Sequence, residues 1–344
     1  MRVTRADVAR EANVSTATVS YVLNHQHNLP EETCRRVMEA VHKLGYQPDM
    51  IAKSMVTNKT HQLAIVMDSL LNPYDGEIAL GFENAAVKKG YFINICSGQH
   101  NLDAYFDSFI SRRLDGIMLL ALPDKFHIEK LYKLIDAGIK IVMEERKDVD
   151  VSRISLIDDN YYEGMRLACD YLYGLGHRQI VYLDAVNGAN DFRAGGYVNH
   201  RRRAFLEQQE KHLGARDETC VVNSSVESAY NIELGRAAAE KLIASGREFT
   251  AVICTSDIEA IGAVQALKAV GYRVPQDVSV VGFDHNFYAQ SWTPTITSVY
   301  HDKVKFGETA FDILNNNIEN NITGFYKAEV MLFEGESTAP PRRG

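Results

Sequence analysis

The stretch that most constrains this chain is Thr4–Asn24, TRADVAREANVSTATVSYVLN. Thr4 followed three residues later by Asp7 has the spacing of a capping box, which predicts a first helix from Arg5 to about Ala12. Asn13-Val14 breaks that helix and Ser15 can cap a second. Val19, Val22 and Leu23 then fall at i, i+3 and i+4, a single apolar face. Thr16, Ala17, Ser20, Tyr21 and Asn24 share the opposite face, and none of them is charged. A merely solvated face carries Lys and Glu, whereas these side chains suit contact with base edges and phosphates. Two helices joined by a short turn, the second with such a face, fit a helix-turn-helix reader of the major groove. On the pattern alone, a helical hairpin that only packs is the alternative.

His25-Gln26-His27-Asn28 reads as a polar loop; its histidines and Cys34 fit no standard metal spacing, so no metal is expected. Pro30-Glu31-Glu32 opens a third helix, with Val37, Ala40, Val41 and Leu44 as its buried stripe and Gly45 as its end. Residues 1–48 thus form a small helical head. In residues 49–61, Asp49–Val56 can make a short helix that is marginal alone, and Met50, Ile51, Met55 and Val56 have no evident partner. Such a segment orders when a second copy and DNA bury it, or else is a plain linker.

Charge supports the division. The chain carries −8 overall, but residues 1–60 hold eight Lys/Arg against six Asp/Glu, leaving the body at −10. A mildly basic head on an acidic body fits a DNA-binding module attached to something else, and pairing two heads would strengthen a weak single contact. The start, Met1-Arg2-Val3-Thr4, has no apolar run and no stretch approaches 18 apolar residues, so a cytoplasmic protein without membrane contact is expected. Five scattered cysteines without a CxxC pair read as reduced thiols.

From Leu63 the period changes. Apolar runs at 63–67, 91–96, 116–121, 139–143 and 154–157 alternate with helical stretches, and the alternation resumes from Tyr161 to a final strand at Ala328–Phe333. This predicts two doubly wound parallel-sheet lobes within residues 62–340. Such sheets bind ligands beyond the carboxyl ends of their strands. Those ends carry Asp68-Ser69, Ser97, Glu144-Glu145, Asp158-Asp159, Asp184, Thr255-Ser256-Asp257 and Asp284. Carboxylates accept hydrogen bonds from sugar hydroxyls, although one Asp after a strand is also an ordinary cap.

Asp7-Val8-Ala9, Ala12-Asn13-Val14-Ser15, Thr18-Val19-Ser20 and Leu23-Asn24 together resemble the N-terminal signature of the LacI/GalR family of bacterial transcription regulators. The resemblance implies a ligand-responsive repressor that binds a pseudo-palindromic DNA operator as a homodimer, with no cofactor. Thr16, Ala17 and Tyr21 would read bases; Thr4, Ser15, Thr18, Ser20, Asn24 and Tyr46 would complete the DNA contacts. Residues 49–56 resemble the family's hinge helix, with Lys53 beside the operator and Met55 as an apolar wedge in the minor groove.

The body implied is of the periplasmic-binding-protein type, with chain crossings expected near 158–161, 285–294 and 321–326. The first lobe would then hold about 62–160 plus 292–323, and the second about 161–291 plus 324–340. A sugar or sugar-derived effector would sit between them. Asn72–Glu77 is similar to the family loop facing that cleft and brings Tyr74 and Asp75; Gly282-Phe283-Asp284 matches a ligand-binding turn, with Trp292 nearby. Arg201 matches an effector-binding arginine, with the Arg201–Arg203 register open by two residues, and Glu144 and Asp257 complete the expected set. A solute-binding protein without DNA activity shares the body and is the alternative. An enzyme is disfavoured because Gly-x-Ser-x-Gly, P-loop and Gly-x-Gly-x-x-Gly motifs are missing.

Overall fold

The structure is a computed structural model of the 344-residue chain, in which residues 3–23, 29–47, 54, 57, 59–67, 69–98, 102–120, 128–144, 149–184, 200–224, 226 and 231–342 are described. The chain divides into two compact units, Met1–His61 and Gln62–Gly344.

In the head, α1 (Arg5–Glu11) starts at a reciprocal capping box: Asp7 N–H donates to Thr4 Oγ1 at 3.3 Å and Thr4 N–H to Asp7 Oδ2 at 2.9 Å. Such a cap stabilises a helix by roughly 0.5–2 kcal/mol. Asn13 turns the chain at φ 50°, and Ser15 Oγ accepts from Thr18 N–H at 3.0 Å at the start of α2 (Thr16–Leu23). The third helix, α3 (Glu31–Leu44), ends at Gly45 in the left-handed region, φ 61°. Val8, Ala9, Val19, Val22, Val37 and Ala40 meet in one small core.

The body begins with β1 (Gln62–Met67), α4 (Pro73–Lys88), β2 (Phe92–Ser97), α5 (Leu102–Arg112), β3 (Gly116–Leu119), α6 (Glu129–Asp136), β4 (Lys140–Glu144) and β5 (Ser155–Asp158). It continues with α7 (Tyr161–Gly174), β6 (Ile180–Asp184), α8 (His200–Leu213), β7 (Val221–Asn223), α9 (Asn231–Ala244), β8 (Ala251–Cys254), α10 (Asp257–Ala269), β9 (Ser279–Phe283), α11 (Phe287–Ser291) and β10 (Thr297–Tyr300). Last come α12 (Lys303–Asn320), β11 (Phe325–Lys327) and β12 (Met331–Phe333). One sheet has the order β2-β1-β3-β4-β5-β11 and the other β7-β6-β8-β9-β10-β12, the same winding twice. All neighbouring pairs run parallel except β12 against β10.

Burial on both sides explains the continuous apolar runs. In β1, Leu63, Ile65 and Met67 join the core under α4 and α12, while Ala64 and Val66 join the core under α5 and α6. In β6, Val181 and Leu183 face one side and Ile180 and Tyr182 the other. Among the described residues, no helix is long and apolar enough to cross a membrane.

The expected lobe boundaries require correction. Thr297–Tyr300 lies in the second sheet beside β9, in register Thr297↔Val281 and Val299↔Phe283, so the chain returns to the first lobe near 301–302 and not at 285–294. The strand expected over Ala328–Phe333 is confined to β12, which pairs with β10, and is preceded by an unexpected strand, β11, that pairs with β5 in the first sheet, so the last crossing falls near 328–330. A three-residue edge strand whose Phe325 is 57% exposed leaves no apolar run to recognise.

Helices approach closely where glycines allow it. A methyl group on Gly307 of α12 would lie 2.0 Å from the Ile78 carbonyl oxygen of α4, and one on Gly81 would lie 2.0 Å from that of Val304. Gly307→Ala is therefore expected to destabilise the body by about 2 kcal/mol or more, since the two helices must separate. Gly174→Ala, which meets nothing within 4 Å, is expected to change stability by less than about 1 kcal/mol. Denaturant unfolding of the two variants checks both.

Candidate functional site

On the head, packing decides which residues are presented. Val19 and Val22 turn inward, and Thr16, Ala17 and Tyr21 remain exposed, with Tyr21 at 40%. Thr18 and Ser20 flank this face half-buried. Thr4 and Ser15 sit at the helix starts, their hydroxyls engaged as caps. Tyr46 is a correction: at 8% exposure it belongs to the head core, because Gly45 folds the chain back across α3. Asn24, Lys53, Met55 and Asp68 lie outside the described residues, as does most of the expected hinge helix.

In the body, the carboxyl ends of both sheets and the crossings between them build one cleft. Its described lining includes Tyr74, Asp159, Tyr161, Phe283, Asp284 and His301. As described, it encloses a volume of about 10 Å³, room for roughly one water, so a ligand needs the lobes to part. Local structure aims each group. Asn72 Oδ1 accepts from Tyr74 N–H at 3.2 Å and Pro73 occupies the first turn of α4, which places Tyr74 and Asp75 past the end of β1. Asp158 Oδ1 accepts from Asn160 N–H at 2.7 Å, and Asn160, at φ 60°, donates through Nδ2 to the Ala328 carbonyl at 3.0 Å. That bond ties the first crossing to the last.

Asp284 stands on backbone at φ 99°, a region that non-glycine residues rarely adopt. The turn is held from several sides. Asp284 N–H donates to the Val299 carbonyl at 2.7 Å, His285 N–H donates to Ser298 Oγ at 2.9 Å, and Lys303 Nζ donates to the Asp284 carbonyl. Asp257, fully buried, accepts from Ser298 Oγ at 2.6 Å and from Asn286 N–H at 2.9 Å. Its carboxylate is therefore consumed in shaping the turn, and Asp257 is a positioning residue, not a ligand-facing one.

Arg201 resolves the arginine register. Its guanidinium lies 3.7 Å from the Tyr161 ring centre and 4.9 Å from that of Phe283, within electrostatic reach of Glu144, Asp284 and Glu259. Arg202 pairs instead with Glu218 at 2.8 Å, and Arg203 lies over Tyr162. Tyr74 Oη and His301 Nε2 are 2.8 Å apart, and His301 Nε2 lies 3.8 Å from Asp159. Tyr74, Asp75, Glu144, Arg201 and Asp284 thus come together as expected, with Asp159 and Asp184 from the strand ends.

Tyr161, Glu259, His301 and Lys303 are additional. They follow crossings or strands as ordinary helix-start or loop residues, so no sequence signal marks them. Trp292 does not join the cleft. It packs on the second-lobe core, and the neighbouring Thr293 carbonyl accepts from Lys268 Nζ at 3.0 Å, near the far end of α10.

Crowding shifts the cleft acids upward. Burial pushes Glu259 to about 8 and Asp284 to about 6, and burial with the neighbouring Asp159 raises Glu144 well above the carboxylate range. These groups hold protons in the folded state that the unfolded chain releases, so their stabilisation is present at low pH and is lost as pH rises through the folded values. Burial lowers His177, His285 and His301, which removes stability only below about 6.5. The body is therefore expected to melt at a higher temperature at pH 6.5 than at pH 8, as calorimetry of the protein in the two buffers would show.

Residues 4–49 match the family described as bacterial regulatory proteins, lacI family, and residues 169–338 match a periplasmic binding protein-like domain. The HTH-type transcriptional repressor PurR of Serratia proteamaculans is 34% identical over 317 residues, spanning 91% of this chain and 89% of that protein. The repressor of the same name from Pectobacterium carotovorum is 31% identical over 97% of this chain and 96% of that protein. Among solved structures, a complex of the transcriptional regulator CelR with cellobiose aligns with a TM-score of 0.70 at 27% identity, covering 98% of this chain and all of that one. The Lac repressor dimer bound to operator and the anti-inducer ONPF aligns with a TM-score of 0.79 at 22% identity over the same share of both chains, a likeness of fold. A matching head, a matching body and relatives alike along nearly the whole length place the chain in the lacI family of bacterial regulatory proteins, as a transcriptional regulator with a helix-turn-helix head and an effector-binding body.

Proposed function

We propose that the protein is a cytoplasmic repressor that binds a pseudo-palindromic operator as a homodimer and answers to a small polyhydroxylated effector, a sugar or sugar derivative, in the inter-lobe cleft. The observation that carries the DNA reading is the exposure of Thr16, Ala17 and Tyr21 on a helix whose Val19 and Val22 are buried. Ala17 suits a thymine methyl and Tyr21 a base edge or phosphate. Pairing of copies is supported by apolar side chains left exposed on the body. Leu80 and Val87 lie two turns apart on α4, and Phe92 lies at the start of edge strand β2, all at least 50% exposed. Effector binding would change lobe closure and so the DNA-competent population. Carboxylates beside Tyr74, Tyr161 and Phe283 suit a ring that has hydroxyls on its edge and an apolar face. A solute-binding role without DNA activity uses the same body, and the matching head counts against it.

Selection from a random duplex pool with the full chain is expected to enrich a pseudo-palindrome. Tyr21→Ala should weaken binding to the selected site by about 10- to 100-fold and relax preference at one or two base pairs of each half-site. A weakening equal for all sequences would mean that Tyr21 contacts only phosphate. In the cleft, a panel of mono- and disaccharides, with nucleobases for contrast, is titrated into the protein and read by calorimetry. Arg201→Ala is expected to lose about tenfold or more in affinity for the sugar that binds the wild type, while still melting cooperatively. Preference for nucleobases would remove the sugar assignment.

A further inference from the structure

Among the described residues the cleft holds more acids than cations, the cations being Arg201 and Lys303. Among the described residues, Asp75, Glu144, Asp159 and Asp284 interact with one another or with Arg201, and Asp184 and Glu259 stand behind them. Lys303 is already engaged, 3.3 Å from Glu77 and bonded to the Asp284 carbonyl. His301 is buried, which favours its neutral form, and its Nε2 pairs with Tyr74 Oη. One guanidinium, stacked against two aromatic rings, therefore faces a group of carboxylates.

Asp159 stands apart within that group. It is 3% exposed and lines the cleft, and among the described residues its carboxylate has no N–H or hydroxyl donor, only the Glu144 carboxyl beside it. The His301 Nε2 is 3.8 Å away, beyond hydrogen-bonding reach. A buried carboxylate whose neighbour within reach is another acid is costly, because the two resist ionising together. Donors from a ligand remove that cost. The chemistry of the missing partner follows from the surroundings. A phosphate or carboxylate would add an anion to acids that already resist ionising together. A neutral hydroxyl offers a single donor and no charge. A protonated amine offers three donors and a positive charge that favours the ionised form of these acids. The rings of Tyr74, Tyr161 and Phe283 add apolar surface for the body of a cyclic ligand.

We propose that the effector carries a protonated amine on a polyhydroxylated ring, an amino sugar, with its ammonium seated on Asp159 between Glu144 and Asp284. This deepens the effector-cleft reading and rests on it. The test is calorimetric titration of the full-length protein at pH 7 with glucosamine, galactosamine, mannosamine and the amine-bearing glucosamine disaccharide. Each is paired with its hydroxyl and N-acetyl counterparts, and the monosaccharides also with their 6-phosphates. At least one amine is expected to bind about tenfold or more tightly than its own neutral counterparts, with the 6-phosphate weaker still. Asp159→Asn should erase that preference and melt no lower than the wild type, since the amide keeps the side chain's shape and relieves the crowding of acids beside Glu144. Equal or tighter binding of the neutral or phosphorylated forms overturns the amine assignment and leaves the effector cleft standing. So does an Asp159→Asn protein that keeps the preference. Failure of every compound in the panel, neutral ones included, overturns the amine assignment together with the reading beneath it.

Discussion

The constraint on which the body depends is that its central strands are buried on both faces. A strand such as Leu63–Met67 or Ile180–Leu183 has no solvated side on which to place a polar group, so its residues are apolar without alternation. Polar chemistry is thereby expelled to the strand ends. At the carboxyl ends, Glu144, Asp159, Asp184 and Asp284 emerge beside the starts of helices that carry Asp75, Asp257 and Glu259 in their first turns. Helix starts favour negative charge, which makes such a concentration of carboxylates tolerable. The three crossings near 159–160, 301–302 and 328–330 bring the ends of both sheets to one place.

That arrangement divides the acids by what surrounds them. Asp257 has two donors and shapes the turn that lifts Asp284 into an uncommon backbone conformation. The close fit is visible at Gly282, where a methyl group would lie 2.3 Å from Asp257 Oδ1. Asp158 serves Asn160 and Lys327, and so fastens the crossings. Asp159, one residue later, has no such duty, because the strand alternation turns it the other way, into the cleft. Adjacent aspartates thus sit in different surroundings, one fastening the crossings and one lining the cleft. The head works by a parallel separation: α2 turns its valines inward and presents an uncharged surface, so that its stability and its selectivity rest on different residues.

The sequence by itself determined the element types and their order, the double winding and the reading face. Capping pairs such as Thr4 with Asp7, and apolar runs bounded by Gly and Asp, are local signals that act through the chain's own backbone. For the same reason Glu144 and Asp284 were recognisable at strand ends, whereas Tyr74, Asp75 and Arg201 were marked only by the family resemblance. Only the tertiary structure decided what depends on pairing across long separations. It put Thr297–Tyr300 into the second sheet and added β11 to the first sheet just ahead of the last strand, since three-residue edge strands take their identity from their partners. It drew Tyr46 into the head core and carried Trp292 to the far end of α10. It also separated Asp257, satisfied by Ser298 and Asn286, from Asp159, which among the described residues meets only the Glu144 carboxyl. Two buried aspartates read alike along a chain; what distinguishes them is which donors the fold brings within 3 Å.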